Sequence, residues 1–182
     1  MIERQTRQPE RQAVGGERPR LTERRASGVE RPASVLVIGV GNPERGDDGA
    51  GIAVVRRLRG RVERPASLIE VRSDVTRLLD CWGPSDSVVL VDAMSSGATP
   101  GTVRRFDAAA APLPARAFRG GSTHGFGVAE VIELARTLGR LPRRLLVVGI
   151  EGACFDAGCG LSAPVEHAVR DVVGSVERTA RT

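Results

Sequence analysis

Apolar residues along the chain fall into short unbroken runs and longer spaced stripes. Val35 to Val40 (Val-Leu-Val-Ile-Gly-Val), Ser87 to Asp92 and Leu145 to Ile150 are β-branched runs with almost no polar interruption, the pattern of parallel strands buried on both faces. Leu68 to Val71 reads as a shorter strand. Gly101 to Phe106 reads as a more exposed one, because Arg104 and Arg105 break its apolar character. Between these runs the period lengthens. Gly49 to Leu58 sets Ile52, Val54, Val55 and Leu58 on one broad helical face, and further helices are expected around Val75 to Trp82 and from about Phe126 to Leu138. Ser162 stands as an N-cap for a closing helix that runs to about Arg178. Strands alternating with helices predict an α/β fold with a mainly parallel sheet and helices on both faces.

The texture differs before Val35. Residues 1–34 hold eight arginines and five glutamates, with breakers at Pro9, Gly15, Gly16, Pro19 and Pro32 and no sustained period. Such a segment has too little apolar surface to offset its ordering entropy, so a disordered tail over 1–34 and a single domain over 35–182 are expected. The formal charge of +5 comes from 27 basic and 22 acidic residues, and the tail holds +3 of it. The remainder of the chain is near neutral, and the glutamates within the tail argue against a nucleic-acid arm.

Every basic residue is arginine. Without lysine there is no Walker-type phosphate loop, no pyridoxal Schiff base and no lysine general base. Tyrosine is absent and aromatic residues are few, which disfavours a stacking platform for single-stranded nucleic acid. No apolar run approaches the roughly 20 residues of a membrane span, and the N-terminus lacks the apolar core of a secretory signal. A cytoplasmic protein is the expectation, with Cys81, Cys154 and Cys159 as reduced thiols rather than a disulfide framework or a zinc site.

The chemistry lies at the strand ends. The turn after the first strand reads Gly39-Val-Gly-Asn-Pro-Glu-Arg-Gly-Asp-Asp-Gly-Ala-Gly51. It lacks the third glycine of a dinucleotide fingerprint, and Asp47 and Asp48 would repel a phosphate at the helix N-terminus. The two aspartates either face a cation or merely cap the helix. Asp92 closes the third strand, the usual place for a site in an open α/β sheet, and His124 sits among glycines just before a helix. In a parallel sheet these loops share one edge, so two carboxylates and an imidazole can converge on a borderline divalent metal such as nickel or zinc. Glu151 ends the last strand on the same rim, with an open role. His167 reads as a surface residue and Cys81 as structural. No Gly-x-Ser-x-Gly elbow is present, which disfavours a serine hydrolase.

The order Val-Ile-Gly-Val-Gly-Asn-x4-Asp-Asp-Gly-x-Gly from Val37, Val-Val-Leu-Val-Asp-Ala93, and Ser-x-His-Gly-x-Gly from Ser122 closely resembles the hydrogenase maturation endopeptidases. Val148-Gly-Ile-Glu151 and Gly160-Leu-Ser-Ala-Pro-Val165 resemble that family's end region, so the likeness runs from about Val35 to about Arg178. The resemblance implies a three-layer α/β/α sandwich on a twisted sheet of about five strands, and a trio of Asp48, Asp92 and His124. It further implies an endopeptidase that removes the C-terminal extension of a nickel–iron hydrogenase large-subunit precursor; a small single-domain enzyme needs no partner subunit to complete its core, so a monomer is expected. The trio would engage nickel already carried by the precursor, which could also polarise the scissile carbonyl or activate a water. The tail has no counterpart in the family pattern. Two other readings remain: a related metallopeptidase acting on another precursor, and a non-catalytic nucleotide-binding module.

Overall fold

The computed structural model describes residues 35–62, 67–72, 74–84, 86–118 and 127–180. The tail expected over 1–34 lies outside them. Five strands, β1 (Val35–Val40), β2 (Ser67–Val71), β3 (Ser87–Met94), β4 (Val103–Asp107) and β5 (Arg144–Glu151), form one sheet in the order β2-β1-β3-β5-β4. The first four in that order run parallel, and β4 pairs antiparallel with β5. The orientation of β4 follows from its connection. The residues between β3 and β4 are too few for a crossover helix, so the chain bends over the end of β5 and runs back along the far edge.

Helices α1 (Ala50–Leu58), α2 (Val128–Thr137) and α3 (Ala163–Ala180) cover the sheet. The apolar runs of β1 and β3 split by alternation between two cores. Val37, Val89 and Val91 pack with α1 and α3, whereas Leu36, Ile38, Val88 and Leu90 pack with α2, Trp82 and Phe118. Helix α3 buries Val165, Ala168, Val169, Val172, Val173 and Val176, a stripe at helical spacing on an otherwise polar helix. Each fully buried valine there contributes roughly 1.5–3 kcal/mol, so a charge at Val169 would detach the helix.

The α/β/α sandwich matches the expected fold class, and four local readings are refined. The segment expected as a helix around Val75 to Trp82 is a 3-10 stretch, Val75–Asp80, capped by Asp74 through the Thr76 N–H. The edge strand begins at Val103. Helix α2 opens at Val128, with the Glu130 carboxylate accepting from the Gly127 N–H at 3.0 Å. Ser162 precedes α3 and its carbonyl takes the Glu166 N–H, but its hydroxyl is directed to Asp47 and so does not cap the helix.

Candidate functional site

The strand order changes direction at β1, whose neighbours are β2 on one side and β3 on the other. The connections leaving β1 and β3 therefore diverge, and a crevice opens between them at the C-terminal edge of the sheet. Both candidate aspartates lie there. Asp48 belongs to a one-turn 3-10 helix, Gly46–Gly49, that leads into α1, and Asp92 is near the end of β3.

Glycines bring this turn close to the sheet. A Cβ on Gly51 would penetrate the carbonyl oxygens of Val91 and Val40, and one on Gly39 would penetrate that of Gly51. Helix α1 thus begins almost in backbone contact with β1 and β3, nearer than any side chain permits. Gly41, at φ 131°, lies as tightly against the Asp48 carbonyl. This close approach sets the Asp48 carboxylate within electrostatic reach of Asp92.

Among the described residues four acidic side chains are buried along the rim: Asp47, Asp48, Asp92 and Glu151. They divide into two kinds by their donors. Asp47 accepts the N–H groups of Ala153 (2.7 Å), Cys154 (3.0 Å) and Ser162 (2.6 Å) and the Ser162 hydroxyl (2.9 Å). Burial pushes its carboxyl up, but these four bonds outweigh burial and hold it below the ordinary carboxylate value. Asp47 therefore makes no cap within its own helix; it ties residues 153–162 to the turn. Glu151 accepts the N–H groups of Ser96 (2.7 Å), Gly97 (2.8 Å) and Ala98 (3.2 Å) and the Ser96 hydroxyl (2.7 Å), holding the connection that crosses above β5.

Asp48 and Asp92 are poorly supplied by comparison. Asp48 Oδ2 takes one N–H, from Asn42 at 2.9 Å, and Asp92 Oδ1 takes that of Ala93 at 2.9 Å. Among the described residues the second oxygen of each carboxylate accepts no hydrogen bond. Burial raises the Asp48 carboxyl, opposed by the Asn42 N–H and the Arg45 charge. Burial also raises Asp92, the Asp48 charge adds to the push, and together they take it to about 8 against the single Ala93 N–H. Two carboxylates that repel each other in a buried crevice suit a cation, which would relieve the repulsion and fill the open acceptor positions.

The third expected member, His124, lies outside the described residues. Among the described residues no three His, Cys, Asp or Glu side chains form a metal cluster. His167 is on the surface, 3.6 Å from Asp171, and Cys81 packs against the core with its thiol on the Arg77 carbonyl at 3.2 Å. The anchoring roles of Asp47 and Glu151 had no local signal, because their partners lie 106–115 and 53–55 residues away in the chain.

Residues 52–179 match the family model of the hydrogenase maturation proteases. The chain belongs to that family. Among curated members, the hydrogenase expression/formation protein HupD of Thiocapsa roseopersicina is 31% identical over 126 residues, 67% of this chain and 56% of that one. The hydrogenase 2 maturation protease of Escherichia coli K12 is 27% identical over 146 residues, 78% of this chain and 87% of that protein. The chain spans 56% and 58% of the length of the Thiocapsa and Rhodobacter capsulatus HupD proteins it matches. The hydrogenase maturating endopeptidase HybD from E. coli superposes with a TM-score of 0.68 at 26% identity, covering 81% of this chain and 92% of that structure. The α/β/α sandwich is thus the fold of a hydrogenase maturation protease, with the carboxylate pair at its switch point.

Proposed function

We propose that this protein is an endopeptidase that removes the C-terminal extension of a nickel-loaded nickel–iron hydrogenase large-subunit precursor. Nickel arrives as the precursor's own cargo, and Asp48, Asp92 and His124 engage it. The observation that carries this reading is the donor imbalance on the rim. In a member of this family, the two carboxylates nearest the switch point are the ones that accept only a single N–H each, from Asn42 and from Ala93. They are buried, burial and the Asp48 charge keep a proton on Asp92, and a cation that displaces this proton finds two hard anionic ligands with open acceptor positions. A precursor without nickel gives them nothing to bind, so cleavage would wait on metal loading. The ion, once held, supplies positive charge beside the scissile carbonyl. Asp47 and Glu151 keep the two connections that frame the crevice in place. The protein acts as a monomer in the cytoplasm on this reading.

The test uses the large-subunit precursor of the same organism, in nickel-loaded and nickel-free forms. Intact-mass spectrometry of the precursor follows loss of its C-terminal extension with wild-type protein, Asp92→Ala and His124→Ala. The expected result is cleavage of the loaded form by wild type only, with both variants folded by circular dichroism. Normal cleavage by either variant rejects the site, and equal cleavage of the nickel-free precursor rejects recognition of the metal.

A further inference from the structure

Neither sulfur of Cys154 and Cys159 has a part in the carboxylate site, yet the fold sets the two residues side by side. The Cys154 carbonyl accepts the Asp47 N–H at 2.8 Å and the Cys159 carbonyl accepts the Gly46 N–H at 3.2 Å, so consecutive amides of one turn hold both. The four residues between them double back through Gly158, at φ 82°, whose N–H reaches the Glu44 carbonyl at 2.8 Å. A methyl at Gly46 would meet both the Cys154 carbonyl and the Cys159 Cβ, and the Cys154 Sγ is 3.4 Å from the Asp156 carboxylate. Both thiols are free, Cys159 exposed and Cys154 half-buried. Asp47 pins the loop on each side, at Ala153 and Cys154 and again at Ser162. The ends of the ring are already together, held by bonds that serve the Asp48 turn.

We propose that Cys154 and Cys159 are a dithiol modification site, which a small-molecule disulfide such as glutathione disulfide converts into an intramolecular bridge that staples the loop anchored by Asp47. The exposed Cys159 thiolate attacks one sulfur of glutathione disulfide, forming a mixed disulfide and releasing one glutathione thiolate. Cys154 gives its proton to solvent and attacks the Cys159 sulfur, releasing the second glutathione. Two protein thiols are oxidised and one glutathione disulfide is reduced to two glutathione molecules. The bridge closes a six-residue ring on the turn that carries Asp48.

The experiment needs no precursor and so stands apart from the peptidase reading. The full chain is equilibrated with glutathione and glutathione disulfide at pH 8, native and in urea, then alkylated and mapped by mass spectrometry. Native protein loses two hydrogens between Cys154 and Cys159 while Cys81 is alkylated. The equilibrium constant for bridging exceeds that of the urea-unfolded chain roughly thirtyfold, the preference that a ring of this size implies. Bridging raises Tm by roughly 4–8 °C and slows hydrogen exchange at the Gly46 and Asp47 amides. Cys154→Ser stops at a mixed disulfide on Cys159. Equal constants in native and unfolded chains, a persistent mixed disulfide on wild type, a bridge to Cys81, or a disulfide-linked dimer each overturns the proposal.

Discussion

Replacing Asp92 with asparagine removes the most perturbed charge at the site while keeping its shape and an oxygen that can still accept the Ala93 N–H. In the folded protein the Asp92 carboxyl is raised from 3.8 to about 8, first by burial and then by the Asp48 charge. The native state therefore keeps a proton that the unfolded chain releases, and stability must fall as pH rises from about 4 to about 8. At about 1.4 kcal/mol per unit, the cost to wild type is on the order of 4 kcal/mol by pH 7 and levels off above pH 8. Asp92→Asn escapes it. Urea unfolding of both proteins at pH 4.5, 6, 7.5 and 9 should give nearly equal stabilities at the acidic end and a widening advantage for the variant above it. Because typical domains are stable by only 5–15 kcal/mol, a difference of this size displaces the urea midpoint visibly. A stability difference that stays constant with pH, or one that favours wild type at pH 9, would refute the reasoning. It would mean that Asp92 is ionised and well partnered in the free protein, which is incompatible with a carboxylate waiting for a cation.

Asp47→Ala leaves three backbone N–H groups and a hydroxyl without their acceptor and should lower stability by roughly 3 kcal/mol in urea unfolding at pH 7. Since the Asp47 carboxyl is held below 3.8, that contribution is present at neutral pH and fades as pH falls through its folded value. Gly51→Ala drives a methyl into the Val91 and Val40 carbonyls and should cost roughly 3 kcal/mol or more, or prevent folding; a stable variant with unchanged processing would contradict the close approach. Glu151→Gln halves the anionic acceptor of the β3–β4 connection. It should speed amide exchange at Ser96, Gly97 and Ala98 while leaving the sheet amides unchanged.

The elements were legible in the sequence where packing repeats locally. Buried parallel strands need unbroken β-branched runs, and α3 needs valines at helical spacing, so β1, β3, β5 and the helices could be read from their own residues. The antiparallel course of β4 was not legible, because direction depends on a connection crossing above another strand. Ser162 illustrates the same limit. Its position before α3 reads as a cap, but a buried carboxylate 115 residues earlier takes its hydroxyl. Sequence could place Asp48 and Asp92 at one edge by topology alone; it had no means of saying which neighbouring acid was satisfied.

That distinction rests on which acids have surplus acceptor capacity. Asp47 and Asp48 are adjacent and both buried, and a helix N-terminus favours either equally. What separates them is the direction each faces. Asp47 points to a loop that returns from β5 with three N–H groups and a hydroxyl converging, so its charge is spent on structure. Asp48 takes one N–H, from Asn42, and the nearby Arg45 charge only partly offsets its burial, while its own charge pushes the Asp92 carboxyl up, so the pair costs stability until a cation arrives. The glycines at 39, 41 and 51 make the difference, because they let the turn sit low enough on the sheet for one aspartate to meet Asp92 while the next faces away. The strain on the carboxylate pair is thus built by backbone proximity, and the well-bonded Asp47 and Glu151 keep it from relaxing by holding both flanking connections in place.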